Sequence, residues 1–153
     1  MITFKPSKSI EKETSIDFEI FSIVVSKIFE VNLKKGLNYF VRVHKSRIPE
    51  TSYVYLEEKT NMRQPFTIML SQNPGNLFEN IKSILHEFRH IMQHSYFKYE
   101  VAVDFDSFTQ YYNSKTERDA RNCERIAPAV LKAYRGMLKS KEIFSRYQLG
   151  TLL

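Results

Sequence analysis

Within the 153 residues, which include 4 histidines and 13 glutamates, two of the histidines and a glutamate stand together in His86-Glu87-Phe88-Arg89-His90. On a helix, residues four apart share a face and lie about 6 Å apart along the axis. Two imidazoles so placed reach one metal ion, and the carboxylate beside the first points toward water held there. Neutral imidazoles bind a divalent cation without cancelling its charge, so water beside that cation is acidified. The glutamate then accepts the released proton and passes it to a leaving amine. Random placement of these residue types gives roughly 0.01 matches per chain to His-Glu-x-x-His. The weight of the motif therefore rests on its helical context.

That context is favourable. Asn76 followed three residues later by Glu79 signals a helix start, and the apolar spacing predicts a helix from Leu77 to about His94. Placed about 100° apart with Ile81 at zero, Leu77, Ile84, Leu85, Phe88 and Met92 fall within roughly 60° of it. His86 and His90 fall near roughly 140° and 180°, away from that stripe. Core histidines would lie inside the stripe; these two occupy the polar face. His94 stands about 12 Å along the axis from His86 and cannot share an ion with both. His44 falls in a predicted strand and is a poor ligand.

A catalytic zinc site takes a third protein ligand and leaves one position for water. The extended pattern His-Glu-x-x-His-x-x-Gly-x-x-His is excluded, because Ile91-Met92-Gln93-His94 carries no glycine. Cys123 is one alternative, since thiolates ligate zinc in some hydrolases. Glu117, Asp119 and Glu124, in the segment from Ser114 to Arg125, are the acidic candidates. Ser114 and Glu117 also have capping-box spacing, which by itself would account for that carboxylate.

The surrounding elements read as α+β. Residues 1–13 are polar and without clear period, as expected of a flexible arm or short edge strand. Thr14 with Asp17 marks a helix start, continued by Ile20, Phe21, Val24, Ile28 and Val31 and ended at Asn32 and Gly36. Leu37–His44, Ser52–Glu57 and Pro65–Leu70 have strand character. The aromatic stretch Tyr96–Tyr112 suits a strand or a lid. Ser114 opens another helix, Pro128 marks a kink or break, and a last helix is expected from Ala129 to about Lys139, with 140–153 as a tail.

Composition sets the limits. The chain is 42% hydrophobic and 26% charged, with 4 Gly and 5 Pro, which suits one soluble domain and excludes collagen-like or low-complexity architecture. A single cysteine excludes an internal disulfide and fits a reducing, cytoplasmic setting. The apolar patch Ile16–Val31 is interrupted by charges and cannot span a bilayer. No phosphate-cradling glycine loop or Gly-x-Ser-x-Gly elbow is present. A di-iron bundle would need a second Glu-x-x-His, which is also lacking.

The motif His86–His90, a spacer of 26 residues and then Glu117-Arg118-Asp119-Ala120 resembles the small gluzincin-type zinc metallopeptidases. The ImmA/IrrE-like and phage-encoded minimal domains look closest. The resemblance implies a minimal zincin: N-terminal helix, three- to four-stranded mixed sheet, active-site helix, and a C-terminal helix carrying the third ligand. It implies His86, His90 and Glu117 as zinc ligands, with Asp119 and Glu124 as substitutes for Glu117, and Glu87 as general base. It also implies a cytoplasmic protein or peptide substrate, laid in extended form against an edge strand at Pro65–Leu70. The sequence departs from the thermolysin-like pattern at Arg121, where an acid would support a histidine, so that support must come from elsewhere. Tyr96, Tyr99, Tyr111 and Tyr112 are candidates for the oxyanion donor.

Charge supplies a second reading. Lys115 to Arg146 contains nine Lys/Arg and four acids, +5 of the net +6. At helical spacing the cations 118, 121, 125, 132, 135 and 139 gather on one face, a surface for nucleic acid. DNA-directed zincins such as the SprT-like and ImmA/IrrE-like proteins, which the motif resembles, pair a protease site with DNA or DNA-bound substrates. A non-catalytic zinc-binding interaction module is the third possibility.

Overall fold

The computed structural model describes residues 1–30, 38–48, 50–55, 66–71, 75–95 and 107–152, with side chains as far as 146. In chain order its elements are β1 (Ile2–Pro6), α1 (Lys8–Thr14), α2 (Phe18–Phe29), β2 (Tyr39–Lys45), β3 (Tyr53–Tyr55), β4 (Phe66–Leu70) and α3 (Leu77–Ser95). Then follow α4 (Phe108–Tyr112), α5 (Lys115–Cys123), a 3₁₀ turn (Glu124–Ile126) and α6 (Ala127–Leu152). The class is α+β. The strands run β1-β2-β4-β3 across one mixed sheet, parallel except for β3, which is antiparallel to β4.

Alternation builds the sheet. Tyr39, Val41 and Val43 of β2 turn one way and are buried, while Phe40 and Arg42 turn to solvent. Ile2 and Phe4 of β1 and Phe66 and Ile68 of β4 extend the buried face, where α2 and α3 pack. Phe88 of α3 is the centre of this layer. The rings of Phe4, Phe29 and Tyr39 each meet it edge-on, at 5.6 Å between centroids, the arrangement aromatic quadrupoles favour. The position between the two histidines thus fixes the rotation of α3 on the sheet.

The first residues are not a flexible arm. Residues 2–6 form an edge strand and 8–14 a helix, because Ile2, Phe4 and Ile10 have core positions that repay ordering the chain. The outer edge of β1 is closed by side chains. Ser26 Oγ accepts from Ile2 N (2.8 Å) and donates to Ile2 O (2.9 Å), Ser22 Oγ accepts from Phe4 N (2.8 Å), and Pro6 has no N–H. Thr14 ends α1 rather than opening α2: its hydroxyl donates to Ile10 O at 2.7 Å, and Ser15 turns the chain at φ 53°. Asp17 is the cap, accepting from Ile20 N at 3.1 Å. The expected end at Asn32 and Gly36 lies outside the described residues, and α2 itself closes at Phe29.

Two further expectations change. Pro65–Leu70 was expected as the edge; β4 instead lies between β2 and β3, buried at Phe66, Ile68, Met69 and Leu70, and β3 is the edge on that side. The helical break falls at Glu124–Ile126, just before Pro128, which sits in the first turn of α6 where a missing N–H costs nothing. α6 continues to Leu152, so 140–152 is helical. Tyr96–Asp106 lies outside the described residues, whereas Phe108–Tyr112 is helix. No described helix is long and apolar enough to cross a membrane.

Phe4→Ala removes one wall of the aromatic cluster and is expected to cost about 3–5 kcal/mol in urea unfolding, a loss a flexible arm would not show. Burial alone would raise the Asp17 carboxyl, yet the Ile20 N–H and the Lys141 ammonium hold it below its ordinary value. Stability from such a carboxyl is complete above its unfolded pKa of about 3.9 and is lost as pH falls through the folded value. The stability gap between parent and Asp17→Ala should be about 1 kcal/mol near pH 7 and should narrow below about pH 4.

Candidate metal centre

α3 presents Phe88 to the sheet and His86 and His90 to α5. α5 packs against α3, and Ala120 of α5 is wholly buried. Ser114 caps α5 by accepting from Glu117 N at 3.3 Å. The capping box is only half made: Ser114 N donates to Tyr111 O at 3.1 Å, and the Glu117 carboxylate turns inward to the histidines. His86 Nε2 lies 3.2 Å from Glu117 Oε2, His90 Nε2 lies 2.8 Å from Glu117 Oε1, and the two Nε2 atoms are 3.3 Å apart. One ligand atom from each residue falls within a 4.8 Å span.

The outer nitrogens are already committed. His86 Nδ1 meets Glu124 Oε1 at 2.7 Å, and His90 Nδ1 meets Gln93 Oε1 at 2.9 Å. Carboxylate oxygens only accept, so His86 Nδ1 carries a hydrogen. The amide of Gln93 is oriented by its own donors, which reach Thr116 O and Asp119 Oδ2, both at 2.8 Å. Its oxygen therefore accepts from His90 Nδ1–H. Both Nε2 atoms then face each other and Glu117, and in the neutral rings their lone pairs are the ones open to a cation. Tetrahedral ligand atoms about 2.0–2.1 Å from zinc sit roughly 3.3–3.4 Å apart, close to the spacing found here. Two imidazoles and a carboxylate are the donor set of hydrolytic zinc sites.

Proton affinities report the same demand for positive charge. Despite burial, Glu117 and Glu87 raise His86 to about 9, and His90 is raised in the same way. Glu117 is held well below the ordinary carboxylate range: burial opposes ionisation, but hydrogen bonds from His86, His90 and Tyr111 outweigh it. Glu87 behaves oppositely, since burial pushes its carboxyl up against the pull of both histidines. It is 7% exposed and makes no hydrogen bond to any described residue. His86, Glu87 and Glu124 line a cleft of about 530 Å³ whose other wall includes Thr51, Ser52, Leu70 and Ser71.

The remaining candidates separate cleanly. Asp119 is engaged by the Arg89 guanidinium (2.7 and 3.1 Å) and by Gln93, so it braces the helices rather than joining the triad. Glu124 supports His86 Nδ1, supplying what Arg121 cannot. Burial pushes the Cys123 thiol up to about 11, and Cys123 is outside the triad, as are His44 and His94. Tyr111 donates to Glu117 Oε1 at 2.7 Å, while Arg121 stacks on Tyr112, 3.6 Å from the ring centroid. Tyr96 and Tyr99 lie outside the described residues. Sequence reasoning missed Gln93, although it lies one turn beyond His90 on the same face, and missed the supporting role of Glu124, two turns beyond Glu117.

No family model, curated protein or solved structure matches this chain.

Glu124→Ala and Gln93→Leu each free an imidazole to rotate. They are expected to weaken retention of zinc 10–100-fold, read by chelator competition, with helix content unchanged. His44→Ala and His94→Ala should retain zinc as the parent does.

Proposed function

We propose that the chain is a zinc-dependent metallopeptidase of the minimal gluzincin type, cutting peptide bonds in a cytoplasmic protein substrate. The observation that carries this reading is the convergence of His86 Nε2, His90 Nε2 and the Glu117 carboxylate beside the buried carboxyl of Glu87. The resemblance of His86–His90 and Glu117–Ala120 to that family agrees with it, as does the α+β fold.

His86, His90 and Glu117 would hold the ion, with Glu124 and Gln93 fixing both imidazole tautomers. Zinc, when bound, supplies Lewis acidity toward water and a peptide carbonyl. Glu87 takes a proton from the attacking water and delivers it to the amide nitrogen as the C–N bond breaks. The water oxygen stays on the carbonyl carbon, and the products are a carboxylic acid and an amine. A carboxyl whose proton affinity is raised by burial suits both halves of that transfer. Burial and Glu117 raise the Tyr111 hydroxyl as well, so it stays a neutral donor beside the site, suited to a developing oxyanion. An extended peptide would pair with the β3 edge and enter the cleft over His86 and Glu87.

A non-catalytic zinc module would favour a closed site of four protein ligands; among the described residues the group has three. Metal analysis with peptide-cleavage mass spectrometry tests both readings. The parent is expected to hold about one zinc, His86→Ala to lose it, and Glu87→Gln to keep it with cleavage reduced about 10²–10⁴-fold. A parent free of zinc after chelator-free purification overturns the metal site. Zinc without cleavage in parent and variant alike favours the module.

A further inference from the structure

α6 buries one side and gives the other to water. Ala127, Val130 and Tyr134 are in the core, and Lys132, Arg135, Lys139 and Arg146 are exposed. At about 100° per residue these four cations fall within roughly 60° of one another, centred some 140° from the buried stripe. From Lys132 to Arg146 the row runs about 21 Å along the axis. Lys141 points elsewhere and pairs with Asp17 at 3.0 Å. Among the described residues no carboxylate is within ion-pairing distance of the other four. Glu142, at the margin of the row, is the single acid of the helix.

This row differs from the one expected from spacing alone. The 3₁₀ turn at Glu124–Ile126 separates α5 from α6, Arg121 is withdrawn onto Tyr112, and Arg146 joins because α6 continues past Lys139. Arg118 and Arg125 remain exposed on the preceding elements.

We infer that this face docks on the phosphate backbone of double-stranded nucleic acid, without reading base sequence. A duplex presents one negative charge per ~1.7 Å of axis, so a continuous row of cations meets phosphates along its whole length. A protein partner would require an apolar centre to the contact. No large apolar side chain falls between these cations, Ile143 standing at the margin. An anionic membrane surface would be met by a helix whose apolar face is free to insert; in α6 Ala127, Val130 and Tyr134 are buried in the core, and among its described side chains only Ile143 and Phe144 are large apolar groups left exposed. The inference is independent of the metal centre.

Fluorescence anisotropy of the full chain with a labelled duplex of about 20 base pairs tests it. Four neutralised phosphates predict a slope of about −3.6 in log affinity against log salt, equal for unrelated sequences. Replacing Lys132, Arg135, Lys139 and Arg146 together by Gln should flatten that slope and weaken binding at least tenfold at low salt. Melting temperature and zinc content should stay as in the parent. Should the quadruple variant fail to fold, Glu142→Lys adds a cation and should steepen the slope by about one unit. The inference is overturned by absence of binding at low salt, or by an unchanged slope in either folded variant. Polyglutamate or phosphatidylserine vesicles bound as tightly as duplex at the same salt would overturn it too.

Discussion

Three electron-rich atoms meeting in a partly buried space govern this structure. Two imidazole nitrogens and a carboxylate, with both outer imidazole nitrogens already donating to acceptors, have no mutual hydrogen bond to make while both rings are neutral. Charge in such a setting is costly unless it is compensated. Either protons or a metal ion satisfies the group, and the raised proton affinity of both histidines measures the strength of that demand. Bracing extends outward from the same atoms: Glu124 behind His86, Gln93 behind His90, and then Asp119 and Arg89 holding Gln93 and the two helices together.

α3 can present such a group because its opposite face is heavily anchored. Phe88 sits in a ring of aromatic neighbours, so the helix cannot rotate to relieve crowding at the histidines without opening the core. The polar face is correspondingly not a solvent face. α5 covers it. The sheet divides its edges in the same economical way. Ser22 and Ser26 occupy the outward backbone of β1, while β3, beside the cleft, is the far edge.

Charge is segregated along the C-terminal half. Glu117, Asp119 and Glu124 are consumed inside the site or in its bracing, so the cations that accompany them in sequence are left without those partners. Arg89 from α3 takes Asp119, and the surplus appears on α6. With five Lys/Arg and one Glu, α6 carries +4 of the chain's net +6, on a surface remote in role from the acidic cluster that ties α3 to α5.

Local pattern alone determined the helix that carries His86, Glu87 and His90, its cap at Asn76, the strands β2 to β4 and the start of α5 at Ser114. Each depends on spacing within one segment, and helical or strand period carries that information directly. Only the tertiary structure decided the rest. Residues 2–14 became strand and helix through long-range burial of Ile2, Phe4 and Ile10, which no local period announces. Glu117 and Asp119 lie on α5, and Glu124 opens the 3₁₀ turn that follows it. Which of them faces the imidazoles, which braces and which orients His86 was settled by the rotation of α5 against α3, and that rotation is fixed by packing between segments distant in sequence.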